Sequence, residues 1–123
     1  MDAETRQILV VDDEEAVCGL IKGALEARGY TVEIAHSSAE AMKKLTTGHY
    51  DMAILDYLMP MGDGKFLYQQ IEAMNPDLAR RILFTTGAPY EPRLIKFLSN
   101  ANLRFLKKPF RIDELVEALE TLK

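Results

Sequence analysis

Short apolar runs alternate along this chain with longer segments whose apolar residues recur every three or four positions. The runs suit buried strands and the longer segments amphipathic helices. Gln7 to Val11 reads as a first strand and stops abruptly at Asp12-Asp13-Glu14-Glu15. That acidic run serves as the first turn of a helix, where negative charge suits the macrodipole. Val17, Leu20, Ile21, Ala24 and Leu25 form its apolar stripe, and Gly29 is placed to end it. Gly19 and Gly23 lie inside this helix, each at a cost of about 1 kcal/mol. Thr31 to Ala35 is a second strand. Ser37 and Glu40 have capping-box spacing and open a helix through Ala41, Met42 and Leu45 to about Thr47, ended by Gly48.

The third strand is Asp51 to Leu55, and it stops at Asp56 and a turn-rich stretch, Met59-Pro60-Met61-Gly62-Asp63-Gly64. A helix follows from about Gly64 with Phe66, Leu67, Ile71 and Met74 as its stripe, broken by Asn75-Pro76-Asp77. Arg81 to Thr85 is the fourth strand. Gly87-Ala88-Pro89 is a loop, and Pro92 suits the first turn of a helix carrying Leu94, Ile95 and Leu98. Leu103 to Leu106 is a short fifth strand, broken at Pro109. A last helix runs from about Ile112 with Leu115, Val116, Leu119 and Leu122. Five rounds of strand then helix predict an α/β protein with a parallel sheet covered on both faces. The common doubly wound solution is the flavodoxin-like five-stranded parallel sheet, order 2-1-3-4-5, here with five helices.

Composition narrows the function classes. At 123 residues the chain is expected to form one domain, residues 1–123. The 48% hydrophobic and 28% charged content suits a globular protein, and no apolar run approaches the roughly 20 residues that span a bilayer. Met1 to Gln7 is polar and acidic, unlike a signal peptide. The single Cys18 cannot close an internal disulfide, which fits a reducing, cytoplasmic location. A net charge of −4 argues against direct nucleic acid binding, and nothing suggests a membrane partner.

The predicted strand order makes strands 1 and 3 neighbours at the topological switch point, so Asp12, Asp13 and Asp56 converge at the carboxyl edge of the sheet. Thr86 and Lys108 end strands 4 and 5 at the same edge. Three carboxylates together raise one another's pKa values unless something positive sits among them. A hard divalent cation is the natural candidate, and Mg²⁺ fits best because it binds through one or two carboxylates plus phosphate oxygens. Helix capping explains Asp12-Asp13 equally well when they are taken alone, and a turn explains Asp56 alone. Their joint placement opposite Lys108 does not fit those readings. Lys108 precedes Pro109, which biases it toward extended backbone along the sheet edge; Lys107 reads as a surface residue. Thr86 offers a hydroxyl to an oxyanion, while strand alternation sends Thr85 the other way. A carboxylate beside a cation, an ammonium and a hydroxyl suits phosphoryl transfer through an acyl phosphate.

Taken together, these residues resemble the receiver domain of two-component response regulators, the CheY-like family. The resemblance is carried by Asp12-Asp13, Asp56, Met59-Pro60, Asp63-Gly64, Thr86-Gly87, Phe105 and Lys108-Pro109-Phe110, over essentially the whole chain. It implies that Asp56 accepts a phosphoryl group from the phosphohistidine of a sensor histidine kinase or phosphotransfer protein. It implies Mg²⁺ held by Asp13, Asp56 and the Leu58 backbone carbonyl, with Asp12 acting through water. Thr86 and Lys108 would bind phosphoryl oxygens, and Phe105 would turn inward as Thr86 moves; the plainer reading of Phe105 is a core aromatic. By the same resemblance the chain catalyses only its own phosphorylation and dephosphorylation and is not otherwise an enzyme. Its output would pass to a downstream protein through the face of predicted helix 4, strand 5 and helix 5, with a homodimer on phosphorylation among the outcomes, and helix 1 would dock the kinase.

Leu58 and Ala88 lie where such domains tune hydrolysis, and both are apolar, so a long-lived acyl phosphate is expected. Residues 76–110 are similar to receivers at the carboxyl end of hybrid histidine kinases. His36 and His49 read as surface or loop residues, the six Met as core filler and Cys18 as inert. The rival class is a receiver-like binding module that is never phosphorylated; intact Asp12, Asp13, Asp56, Thr86 and Lys108 argue against it. A phosphatase like the haloacid dehalogenases would want Asp where Leu58 stands, and a flavin-binding flavodoxin would want a Ser, Thr and Gly-rich loop after strand 1.

Overall fold

A computed structural model of the chain describes residues 6–59, 64–87, 92–101 and 103–122. Its elements are β1 (Gln7–Val11), α1 (Glu15–Glu26), β2 (Thr31–Ala35), α2 (Ser38–Thr47), β3 (Met52–Asp56), α3 (Gly64–Met74), α4 (Pro76–Ala79), β4 (Ile82–Thr86), α5 (Pro92–Ala101), β5 (Arg104–Lys107) and α6 (Ile112–Glu120). The five strands form one sheet in the order β2-β1-β3-β4-β5, every neighbouring pair parallel. This is the flavodoxin-like doubly wound order expected from the alternation.

Strand alternation divides the core in two. Leu9, Val11, Ala53, Leu55, Ile82 and Phe84 face α2, α3 and α5. Ile8, Val10, Val32, Met52, Ile54 and Leu83 face α1 and α6. All five residues of β3 and of β4 are buried, because central parallel strands are covered on both faces. Asp56 and Thr86 are therefore the points at which buried strands run out into polar chemistry.

Local chemistry sets the helix ends. The Ser37 hydroxyl accepts the Glu40 amide at 3.1 Å, as the capping box requires, but the Glu40 carboxylate takes the amide of His36 rather than that of Ser37. Gly29 adopts φ 93°, a left-handed conformation that glycine adopts without penalty. A sixth helix stands where five were expected. The break at Asn75-Pro76-Asp77 is itself a start: the Asn75 side chain accepts the Leu78 amide at 3.2 Å, Pro76 takes the first helical position, and one short turn forms.

Four residues assigned to buried stripes lie outside them. Leu20, Phe66, Met74 and Ile95 are 45–54% exposed. Each helix presents a narrower face to the sheet than its run of apolar residues suggests, and Tyr68, with its hydroxyl bound to Glu72, is buried on α3 instead. Tyr57, Tyr68, Phe84 and Phe97 form a cluster with ring centroids 5.6–6.1 Å apart, joining the residue after Asp56 to α3, β4 and α5. Pro60, Asp63 and Ala88 lie outside the described residues.

Candidate functional site

The pairing of β1 with β3 sets Val11 beside Leu55, so the residues that follow them in sequence, Asp12 and Asp56, meet at the carboxyl edge. Carboxylate oxygens of Asp12, Asp13 and Asp56 lie within 4.8 Å of one another. Asp12 is 2% exposed and Asp56 5%, whereas Asp13 faces solvent. Lys108 enters from the end of β5. Its amide donates to the Thr86 carbonyl at 2.7 Å, extending the β4–β5 ladder and fixing where the side chain departs. The ammonium then reaches Asp12 Oδ2 at 2.8 Å, Glu14 Oε1 at 3.1 Å and Asp56 Oδ2 at 3.4 Å. The Lys108–Pro109 peptide bond is cis.

Each carboxylate has a distinct role in the local structure. Asp12 Oδ1 accepts the Glu14 amide at 2.9 Å, just ahead of α1. The N-cap residue of α1 is Glu14, with no side-chain cap, so Asp12 braces the turn ahead of the helix and does not cap it; of its two readings the convergent site holds. Asp56 Oδ1 accepts the Leu58 amide at 3.3 Å, and the Tyr57 amide donates to Thr85 at 2.9 Å. The amide of Gly64, the first residue of α3, donates to the Tyr57 carbonyl at 2.9 Å. A Cβ at Gly64 would lie 2.7 Å from the Asp56 carbonyl oxygen and 2.8 Å from Tyr57 Cα, so the approach requires glycine.

Burial pushes the Asp56 carboxyl up to about 6, with the Asp12 charge adding to the rise and Lys108 opposing it. Burial acts against the Lys108 ammonium, yet its hydrogen bond to Asp12 and the charges of Asp56 and Asp12 hold it above the ordinary lysine value. One ammonium therefore serves three carboxylates at Asp12, Glu14 and Asp56, with Asp13 a fourth alongside. The donor set is all oxygen, carries excess negative charge and includes one exposed carboxylate. It fits a hard divalent cation.

Thr86 is fully buried at the end of β4, and Phe105, paired with Phe84 across the ladder, is 44% exposed. Phe105 is thus not a core aromatic in this conformation. Leu58 stands 49% exposed beside Asp56. His36 and His49 pair with Glu40 and Asp51, and both are exposed, as expected of surface residues. Sequence reasoning missed Glu14 as a partner of Lys108. Its signal, a third acidic residue directly after Asp12-Asp13, was absorbed into the helix start.

The profile of the response regulator receiver domain matches residues 8–120. The chain belongs to that family. It is a receiver domain, the phosphoacceptor module of two-component signalling. The receiver is 34% identical over 116 residues to the response regulator MprA of Mycobacterium ulcerans, which covers 94% of this chain and 49% of that protein. It spans about half the length of the curated relatives it matches. A CheY-like receiver domain protein from Methanospirillum hungatei superposes with a TM-score of 0.88 at 28% identity, covering 97% of this chain and 94% of that one. The receiver domain of a signal transduction histidine kinase from Syntrophus aciditrophicus superposes with a TM-score of 0.83 at 28% identity, covering 96% and 89%. Among the described residues, no helix of this receiver is long and apolar enough to cross a membrane.

Proposed function

We propose that Asp56 is the phosphoacceptor, with Asp12, Asp13 and the Leu58 carbonyl completing a Mg²⁺ site and Thr86 and Lys108 binding the phosphoryl oxygens. The observation that carries this reading is the single Lys108 ammonium set between two buried carboxylates, Asp12 and Asp56, beside exposed Asp13. Asp13 has no partner among the described residues and is free to ligate, while Asp12 is already committed to Lys108 and the Glu14 amide. That division agrees with Asp13 binding directly and Asp12 through water. Mg²⁺ supplies charge neutralisation for the oxygens of a transferring phosphoryl group.

A carboxylate oxygen of Asp56 attacks phosphorus. The P–N bond of the donor phosphohistidine breaks as the P–O bond to Asp56 forms, and the imidazole nitrogen keeps the electron pair. Lys108 donates to the phosphoryl oxygens as a point charge, and the Thr86 hydroxyl donates a hydrogen bond. The chain needs no further catalytic group for its own phosphorylation and dephosphorylation. Thr86 and Phe105 form the switch, with the ring turning from its exposed position as Thr86 moves toward the phosphoryl group. Inverting a two-state population from 1:99 to 99:1 takes about 5.5 kcal/mol. One hydrogen bond to a charged group gives roughly 1.5–3 kcal/mol. Thr86 alone therefore shifts the population only part of the way, and Lys108, the cation contacts or a bound partner complete it.

Residues 1–123 act as one receiver domain, in the cytoplasm, beside a sensor histidine kinase or phosphotransfer protein. The predicted helix 4, strand 5 and helix 5 correspond to α5, β5 and α6, and the exposed Ile95 and Phe105 support that face as the output surface for a downstream protein or a second copy. The likeness to a histidine kinase's receiver supports a place in a hybrid kinase, and the likeness to MprA supports a place in a response regulator. Intact mass after incubation with acetyl phosphate tests the central assignment. One added phosphoryl group is expected on the wild type, dependent on Mg²⁺ and lost in Asp56→Asn. An adduct that persists in Asp56→Asn would remove Asp56 from the role.

A further inference from the structure

Lys108 is shared among three carboxylates. Its ammonium is nearest Asp12, then Glu14, and farthest from the residue it has to serve, at 2.8, 3.1 and 3.4 Å. The two nearer carboxylates differ in kind. Asp12 is buried and its other oxygen is fixed by the Glu14 amide, so it cannot move without uncovering a buried charge. Glu14 is the N-cap residue of α1, with extended backbone at φ −92° and ψ 110°. Its side chain is 60% exposed and Lys108 is its partner among the described residues. The hydrogen bond that the Glu14 amide donates to Asp12 Oδ1 thus fixes the backbone, while the exposed Glu14 carboxylate can exchange its ammonium for water. Of the three partners of Lys108, Glu14 is the one that can let go.

We propose that Glu14 is a positioning residue: its carboxylate competes with Asp56 for the Lys108 ammonium that both contact. This rests on the reading of Asp56 as phosphoacceptor. The contact has two consequences of opposite sign. A phosphoryl group on Asp56 must win Lys108 from Glu14, so Glu14 weakens capture of the phosphodonor. With Glu14 in place, Lys108 also bears less heavily on the Asp12 and Asp56 carboxylates, so Glu14 strengthens the binding of a divalent cation there. An exposed ion pair of this kind biases an equilibrium by about two- to fivefold.

Glu14→Gln removes the contact with little change of shape. Glu15→Gln removes the same charge one residue along, on an exposed side chain with no contact to Lys108 among the described residues, and serves as the control. Two readouts separate the roles. In saturating Mg²⁺, the acetyl phosphate concentration giving half-maximal phosphorylation is expected to fall about two- to fivefold in Glu14→Gln with the maximal rate little altered. The Kd for Mg²⁺ alone, read from amide chemical shifts without phosphodonor, is expected to rise by a similar factor. Both effects should vanish in a Lys108→Met background and be absent in Glu15→Gln. Equal effects in Glu15→Gln, or effects that persist without Lys108, would show that Glu14 acts through bulk charge and overturn the proposal. A Glu14→Gln protein with unchanged half-saturation and unchanged Mg²⁺ affinity would overturn it as well. If the wild type takes no phosphoryl group from acetyl phosphate, the chain either accepts only from its cognate kinase or is a binding module that is never phosphorylated, and the Mg²⁺ titration decides the role of Glu14 by itself.

Discussion

Asp56 is a destabilising residue in the absence of metal, and its cost can be worked out. Its carboxyl is raised from 3.8 to about 6, mainly by burial and then by Asp12. A raised carboxyl binds its proton more tightly in the folded state. Between pH 4 and 6 the folded chain therefore holds more protons than the unfolded one, and stability falls as pH rises. Above that window the loss is constant at about 3 kcal/mol, from a rise of roughly two units at 1.36 kcal/mol each. At pH 4.5 the same linkage leaves about 1 kcal/mol. Asp56→Asn keeps the shape and an oxygen for the Leu58 amide but carries no charge, and Lys108 retains Asp12 and Glu14. The variant is expected to be about 2–3 kcal/mol more stable than wild type at pH 8 in chelator, and about 1 kcal/mol or less at pH 4.5. Urea unfolding followed by far-UV circular dichroism measures both values. Adding Mg²⁺ should narrow the gap at pH 8, since ligand binding stabilises the wild type by mass action and the variant lacks one of the proposed ligands. A variant no more stable than wild type at pH 8 without metal would refute the burial argument. A gap independent of pH would refute the titration of Asp56 as its source.

Gly64→Ala is expected to destabilise by about 1–3 kcal/mol, because the added Cβ meets backbone of Asp56 and Tyr57 rather than a movable side chain. A urea midpoint at or above wild type, which helix propensity alone would give, would contradict that close approach. Burial, then the Asp12 charge, pushes the Cys18 thiol up to about 11, and its sulfur lies 3.3 Å from the Asp12 carbonyl. Labelling by a disulfide reagent at pH 8 should run about a hundredfold slower in the folded chain than in urea, from the thiolate population alone. Equal rates would place Cys18 at the surface. Leu58 stands exposed beside Asp56 and cannot orient water, so Leu58→Asn should shorten the acyl phosphate half-life by about tenfold, the worth of one hydrogen bond. Loss of label at the wild-type rate would show that position 58 has no part in hydrolysis.

Most of the site was legible because a parallel sheet turns sequence order into spatial order. Once five strands alternate with helices, every strand leaves the sheet at the same edge, so Asp12, Asp56, Thr86 and Lys108 need only end their strands to meet. Strand boundaries off by one residue, as at Ile82–Thr86 and Arg104–Lys107, do not disturb that inference. Helix faces were less legible. Leu20, Phe66, Met74 and Ile95 satisfy the helical period as well as their buried neighbours do, yet they stand 45–54% exposed, because periodicity does not give the width of the face a helix turns to the sheet. Tyr68 carried the opposite problem, a polar tip on a residue whose ring fills the core beside Phe84 and Phe97.

Two of the partners of Lys108, Asp12 and Asp56, were legible in the sequence; Glu14 and the order of distances were not, and the reason is physical. An ammonium on a four-carbon stem reaches anything within several ångströms of its strand end, and three carboxylates lie there. Sequence gives the meeting place but not the order of preference among them. Burial and backbone amides do not separate Asp12 from Asp56, since both are buried and each accepts one amide, from Glu14 and from Leu58, whereas Glu14 has water as an alternative. Lys108 is thus divided between two buried carboxylates and lies nearer Asp12, at 2.8 Å against 3.4 Å. Asp56 is left with a raised affinity for protons and, by the same excess of negative charge, for whatever positive group arrives next.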